Sequence, residues 1–340
     1  MSGSGSMDAA DRWQALRGGL RPDCPPVSFW RHFYDQENEL EQFVEATIGF
    51  QKRFGWDLVK INPKASYHVE PWGVTVRPAA VRDQKPVKTS WPVHNADELK
   101  KIRPLPSTSS EFDFQLRAVA EIRKALTHSL PMVMTMFSPL SVLGDLVPSG
   151  ELLKVLLQES PDTVTMALEN LATTFSALAV EFLNAGADGL FFATTEWASR
   201  DRLTAEEYRR FGRPYDLRIL EAISESARFT VLHICGPNVI LEEFADYPCH
   251  IVNWDATHPA NLSLRQGWEV MKKPVLGGID GSSDLLGLSL PALADKVRRM
   301  IAEHADLPYA VGPGCAVPVQ VPLERLQVIK EVVQQAGEHR

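Results

Sequence analysis

The chain has 340 residues, 44% of them apolar and 23% charged, with a formal net charge of −8. That balance suits a soluble globular protein, and without a dense basic run it gives nucleic-acid phosphates no electrostatic reason to bind. No apolar stretch approaches the ~20 residues needed to span a bilayer, so neither nucleic acid nor membrane is an expected partner.

The opening Met1-Ser-Gly-Ser-Gly-Ser-Met7 reads as an expression scar over 1–6, leaving 7–340 as one domain. No signal-peptide pattern follows, so a cytoplasmic, reducing setting is expected. The four cysteines (Cys24, Cys235, Cys249 and Cys315) are then free thiols, at least two of them held for metal. Eight short β-rich runs follow in order: 27–31, 57–61, 132–137, 189–194, 229–234, 251–254, 275–279 and 309–312. Most are continuous apolar runs, as strands buried on both faces of a parallel sheet must be.

Helical patterns alternate with these runs. The stretch 66–110, rich in proline, valine and threonine, reads as a hairpin-and-loop insertion between the second and third strands. Ser160-Pro161 opens a helix that Gly186 stops. Thr204-Ala-Glu-Glu207 is a capping box opening another helix, bent near Pro214. Later helices begin at Leu290 and Pro322. Eight strands with intervening helices predict an α/β fold of the (β/α)8 TIM-barrel kind.

Barrel enzymes place their chemistry at the C-terminal strand ends, which nominates residues in turn. Arg31 and His32 end the first strand, and alternation allows only one of them to face inward and bind an anionic substrate group. Tyr67 and His68 lie in the insertion, where they could help form a substrate-covering lid. Glu196 ends strand four, as an acid or base or as a solvated loop charge. Asp280 ends strand seven, as a substrate contact or as the first residue of an Asp-Gly turn.

The strongest signal is His233-Ile-Cys235 at the end of strand five, with Cys315 after strand eight. Residues two apart on a strand share a face, so His233 and Cys235 can grip one ion while Cys315 arrives from a distant strand. One imidazole and two thiolates leave a zinc ion an open position, as catalysis requires. The competing reading makes the cysteines small buried hydrophobes and His233 a hydrogen-bonded core histidine. Asp255, ending strand six, has three readings: a displaceable fourth ligand, a hydrogen-bond acceptor for His233, or a turn cap.

His233-Ile-Cys235-Gly236, Gly277-Gly-Ile-Asp280 and Gly312-Pro-Gly-Cys315-x-x-Pro318 occur in the order seen in the uroporphyrinogen decarboxylase superfamily, which the chain resembles from about Pro26 onward. The His-x-Cys and later Cys resemble its zinc-dependent, corrinoid-linked methyltransferase branch. The resemblance implies a (β/α)8 barrel, zinc on His233, Cys235 and Cys315, and a corrinoid (methylcobalamin) as methyl carrier. No Asp-x-His-x-x-Gly cobalamin signature occurs in the chain, so the corrinoid is expected on a separate partner protein. The decarboxylases' Arg-Gln-Ala-Gly-Arg segment is Trp30-Arg31-His32-Phe33-Tyr34 here, and their late Gly-His-Gly is Gly312-Pro313-Gly314. Decarboxylation is disfavoured by both departures.

The resemblance therefore implies a methyltransferase moving a methyl group between a corrinoid and a small substrate, with a thiol acceptor favoured. Zinc-assisted demethylation of a methyl ether or methanol-type donor onto cobalt(I) uses the same ligand set. A metal-free decarboxylase and a non-catalytic tetrapyrrole or corrinoid binder are the remaining alternatives.

Overall fold

The structure is a computed structural model that describes residues 7–338 apart from 80 and 82; the scar expected at 1–6 lies outside the described residues. Its centre is a parallel sheet curled into a barrel. The strands are β1 (Val59–Ile61), β4 (Met132–Phe137), β5 (Gly189–Thr194), β6 (Val231–Ile234), β7 (Ile251–Trp254), β8 (Val275–Ile279) and β9 (Tyr309–Pro313), paired in that order. The insertion forms a separate antiparallel hairpin of β2 (Thr75–Arg77) and β3 (Val87–Ser90).

Residues 26–28 close the barrel. Val27 makes a parallel bridge to Val311 of β9. Ser28 N–H donates to the Val311 carbonyl at 3.0 Å, and Val311 N–H returns a bond to Pro26 at 2.8 Å. On the other side, Asp57 N–H donates to the Val27 carbonyl at 3.0 Å. The strand expected over 27–31 is thus shortened to one bridge. Pro25 and Pro26 have no N–H to give, and the Val27 N–H is taken by the Asp57 side chain at 2.9 Å. The fifth strand likewise starts at Val231 rather than 229.

Alternation sorts the apolar residues into two layers. Leu58, Val133, Phe191, Ala193, Val231, Ile251, Leu276 and Ala310 point into the barrel. Leu190, Phe192, Leu232 and Val252 point out against the helices. An unexpected helix, Ala9–Arg17, seals the N-terminal end by adding Trp13 and Leu16 to the interior layer. Trp13 Nε1 donates to the Asp57 carbonyl at 2.9 Å, and Arg12 Nη1 to the Asp57 carboxylate at 2.8 Å. The open end is therefore the C-terminal one.

The helix Pro161–Asn184 ends where expected, and Gly186 takes the left-handed φ of +109° that stops it. The helix opened by the Thr204–Glu207 capping box breaks at Gly212, two residues before Pro214, where a bend is expected. Tyr208 packs so closely there that a Cβ on residue 212 would stand 2.6 Å from its ring. Pro214 instead occupies the first turn of the next helix, Arg213–Ile223, where its missing N–H costs nothing.

Candidate metal centre

His233 sits inside the barrel on β6, paired in register with Asn253 of β7. Two residues on, Cys235 leaves the strand with its N–H bonded to the Thr194 carbonyl at 2.9 Å. Gly236 then turns the chain away with a φ of +101° that only glycine adopts readily. Cys315 follows β9 after Gly314, whose N–H donates to the Ile279 carbonyl at 3.0 Å. A Cβ on Gly314 would lie 2.9 Å from the Asp255 Cα. Only a residue without a side chain lets this loop come down beside β7.

The ligating atoms of His233, Cys235 and Cys315 all lie within 4.8 Å of one another. The two sulfurs are 3.7 Å apart, far beyond a disulfide bond. Two thiolates on a tetrahedral zinc, each at about 2.3 Å, must themselves stand about 3.8 Å apart. The spacing and donor chemistry fit that ion. His233 is buried, whereas Cys235 is half-buried and Cys315 exposed, so the cluster lies at the boundary between core and water.

The imidazole is oriented by a neighbour. His233 Nδ1 lies 2.6 Å from Asn253 Oδ1, while Asn253 Nδ2 donates to the Leu276 and Pro313 carbonyls at 2.8 and 3.0 Å. Two carbonyl acceptors fix the amide nitrogen, so its oxygen must face the ring and accept from Nδ1–H. Nε2 is left with its lone pair. Between the sulfurs, the Cys235 thiol donates to Cys315. That hydrogen bond, against the opposing effect of burial, holds Cys315 well below the usual thiol range. Cys235 is pushed up as the donor.

Asp255 is not among the clustered donors. Its Oδ1 accepts from Thr257 N–H at 3.1 Å and Thr257 Oγ1 at 2.5 Å, so it caps a turn, and Asn253 is the acceptor for His233. Glu196 is exposed and paired with Arg202, the solvated loop charge of the two readings. Asp280 accepts from the N–H groups of Ser282 and Ser283, as a turn residue does. Tyr67 is buried and donates to the Thr135 carbonyl at 2.8 Å, a packing role rather than a lid. His68 is buried with Nε2 at 2.8 Å from Asp145, whose carboxylate also pairs with Lys88 of β3. The hairpin is thereby tied to the barrel rim.

Of the pair ending the first segment, half-buried His32 comes two residues after Trp30 of the inner layer, while Arg31 donates to the Val319 carbonyl. His32 stacks on Tyr34 at 4.8 Å, and its Nδ1 stands 3.9 Å from Glu37. Burial, with Lys60 and Lys85 nearby, pushes His32 down to about 3, so its ring is neutral. Burial pushes Glu37 up to about 7. Sequence reasoning passed over three further residues: Asn253, Lys60 and Asn62. Alternation offered the signal for the last two, because Leu58, Lys60 and Asn62 share one face of a run buried on both sides.

The uroporphyrinogen decarboxylase (URO-D) family model matches residues 30–336. The methylcobamide:CoM methyltransferase MtbA of Methanosarcina mazei is 24% identical over 211 residues, 62% of this chain and 60% of that protein, so the match spans less than two thirds of that relative's length. A uroporphyrinogen decarboxylase of Anaeromyxobacter dehalogenans is 22% identical over 97% of this chain and 96% of its own. Among solved structures, a methyltransferase from Methanosarcina mazei superposes with a TM-score of 0.80 at 20% identity, covering 97% of this chain and 99% of that one. Among the described residues, no helix is long and apolar enough to cross a membrane.

Proposed function

The chain belongs to the uroporphyrinogen decarboxylase family, and within it we propose a zinc-dependent methyltransferase that moves a methyl group between a corrinoid on a partner protein and a small thiol. One observation carries the reading: an imidazole nitrogen and two sulfurs converge at the open end of the barrel with the spacing of a three-ligand site. Such a set leaves one position for substrate. Similarity to the MtbA methyltransferase supports the same chemistry.

His233 Nε2 and the Cys235 and Cys315 sulfurs would hold the ion, with Asn253 keeping the imidazole in the ligating tautomer. Bound there, zinc supplies the Lewis acidity that turns a thiol into a thiolate near neutral pH. The protein's own part is positioning. The Phe191 ring, 5.1 Å from the His233 ring, and Trp30 wall the site and keep water from the ligand side. Exposure of Cys315 leaves the opposite side open to a macromolecular methyl carrier.

Pro313 argues against decarboxylation, since the decarboxylase motif has a histidine at that point and proline offers neither proton nor hydrogen bond. The test mixes zinc-loaded protein with methylcobalamin and a panel of thiols and follows the cobalt spectrum. Loss of the methylcobalamin bands with at least one thiol, and none in Cys315→Ala, is the expected result. Decarboxylation of uroporphyrinogen by metal-free protein would overturn the reading. Methylation of cobalt(I) by an ether, with no thiol accepted, would reverse the direction.

A further inference from the structure

Cys235 and Cys315 hold their sulfurs in contact. The separation of 3.7 Å is about 1.7 Å more than a disulfide bond, although the two residues stand 80 positions apart in the chain. Each lies just past the end of its strand, β6 at Ile234 and β9 at Pro313, and each has a glycine beside it. Around Gly236 there is open space, since a Cβ there would meet nothing within 4 Å. The backbone next to Cys235 therefore has room to give as the sulfurs approach.

Cys315 is an exposed residue and Cys235 a half-buried one, whereas Cys24 and Cys249 are buried and outside the cluster. Among the described residues this is the thiol pair that is both close and reachable from solvent. Metal ligation and oxidation draw on the same sulfur electrons, because the thiolate is both the nucleophile and the ligand. A disulfide offers no thiolate. Closing one here would leave His233 as the sole remaining donor of the three.

We propose that Cys235 and Cys315 form a redox switch on the site: a hydroperoxide closes them to a disulfide that cannot hold the metal, and a thiol reductant reopens them. The bond itself needs only the two thiols; its effect on metal binding rests on the reading of the cluster as a zinc site. In the metal-free protein the exposed Cys315 attacks hydrogen peroxide first. Its sulfur bonds to one oxygen, the O–O bond breaks, and the leaving hydroxide takes the thiol proton as water, which leaves a sulfenic acid. The Cys235 sulfur then attacks Cys315. The S–S bond forms, the S–O bond breaks, and the oxygen departs with the Cys235 proton as a second water. Two electrons pass from the sulfurs to one peroxide molecule. Bound zinc occupies those electrons, so the loaded protein is oxidised more slowly.

The test adds hydrogen peroxide in slight excess to the metal-free protein, alkylates free thiols in denaturant and maps the peptides by mass. A Cys235–Cys315 cross-linked peptide should appear, two hydrogens lighter than its reduced parts, with Cys24 and Cys249 alkylated. Zinc uptake should drop from about one ion per chain to a small fraction of that, and dithiothreitol should restore it. Cys235→Ser should give no cross-link and carry Cys315 on to sulfinic acid. Wild-type protein that binds zinc when reduced, yet forms no cross-link or goes to sulfinic acid at Cys315, would overturn the switch alone. A cross-link that leaves zinc uptake unchanged would overturn both the switch and the assignment of these sulfurs as zinc ligands.

Discussion

Asn253 and His233 face each other across neighbouring strands, Oδ1 to Nδ1 at 2.6 Å, with the amide nitrogen anchored to two carbonyls on β8 and β9. The imidazole is therefore fixed by the sheet itself and not by a mobile loop. Orientation of this kind typically changes metal affinity by about tenfold to a hundredfold.

Asn253→Ala should accordingly weaken zinc binding by about one to two orders of magnitude in a chelator competition. It should also lower stability, because a buried ring N–H and two carbonyls lose partners at about 1–3 kcal/mol each. Asn253→Asp keeps the acceptor and loses both donors. Zinc affinity should stay near that of the wild type while the thermal midpoint still drops. Equal zinc affinity in all three proteins would remove Asn253 from the site.

Cys235→Ala and Cys315→Ala test the ligand set directly. Zinc measured after gel filtration should fall from about one ion per chain to a small fraction of that in each variant. Neither cysteine residue is fully buried, so the circular dichroism spectrum should be unchanged and the stability cost small. Cys24→Ala is the control, since that thiol is buried away from the cluster and pushed up to about 11, mainly by burial. Zinc retained by Cys315→Ala would mean that the sulfurs are merely packed.

How far the sequence foretold all this depends on what each residue had to compete with. Strands such as Met132–Phe137 and Gly189–Thr194 are legible because a parallel strand under helices is apolar on both faces. The closing segment at Val27 misled the same reasoning, because its pairing is decided by Pro25, Pro26 and a side chain 30 residues away. The helix Ala9–Arg17 escaped notice because its burial depends on the barrel end it plugs.

At the site, two-residue spacing and strand-end position located His233, Cys235 and Cys315 together. Asn253 escaped because parity alone does not say which residue of β7 stands one rung across from His233. A carboxylate is the more familiar histidine partner, and that preference favoured Asp255, two residues too far along. Lys60 was hidden inside the strand read over 57–61, and Asn62 lies one residue past its end. Asn62 stands out because its buried Nδ2 has no hydrogen-bond partner, which only the fold reveals.

Gly314→Ala separates ligand identity from ligand placement. All three donors survive, but the added methyl would press on the Asp255 Cα and Oδ1, both at 2.9 Å, and backbone cannot yield cheaply. Cys315 must shift by a few tenths of an ångström, and zinc affinity should fall about tenfold or more, as it does when supporting contacts are disturbed. Gly236→Ala meets nothing within 4 Å and is strained only by its φ of +101°. It should cost about 1 kcal/mol of stability, with a smaller effect on zinc. The reverse ranking in zinc affinity would show that the turn at Gly236, not the approach of the Cys315 loop, sets the geometry.

Behind the site, Asp216 couples folding to pH. Its carboxylate is fully buried between Tyr208 and Tyr247, whose hydroxyls donate to Oδ2 at 2.6 and 3.0 Å, while Oδ1 has no partner. Burial pushes its pKa up to about 7 from an ordinary 3.8, against the two tyrosine hydrogen bonds that favour the charged form. Between those values the folded protein holds a proton that the unfolded chain has released. The native state therefore binds more protons, and this group's contribution to stability falls as pH rises through that window, by up to about 1.4 kcal/mol per unit. Above about 7 both states are ionised and the loss is complete. Asp216→Asn keeps an acceptor for the tyrosines and cannot ionise. In urea unfolding at pH 5, 6, 7 and 8, the stability difference should move steadily toward the variant up to about pH 7 and then level off. Parallel stability curves for the two proteins would mean that Asp216 is ionised in the folded state at every pH tested.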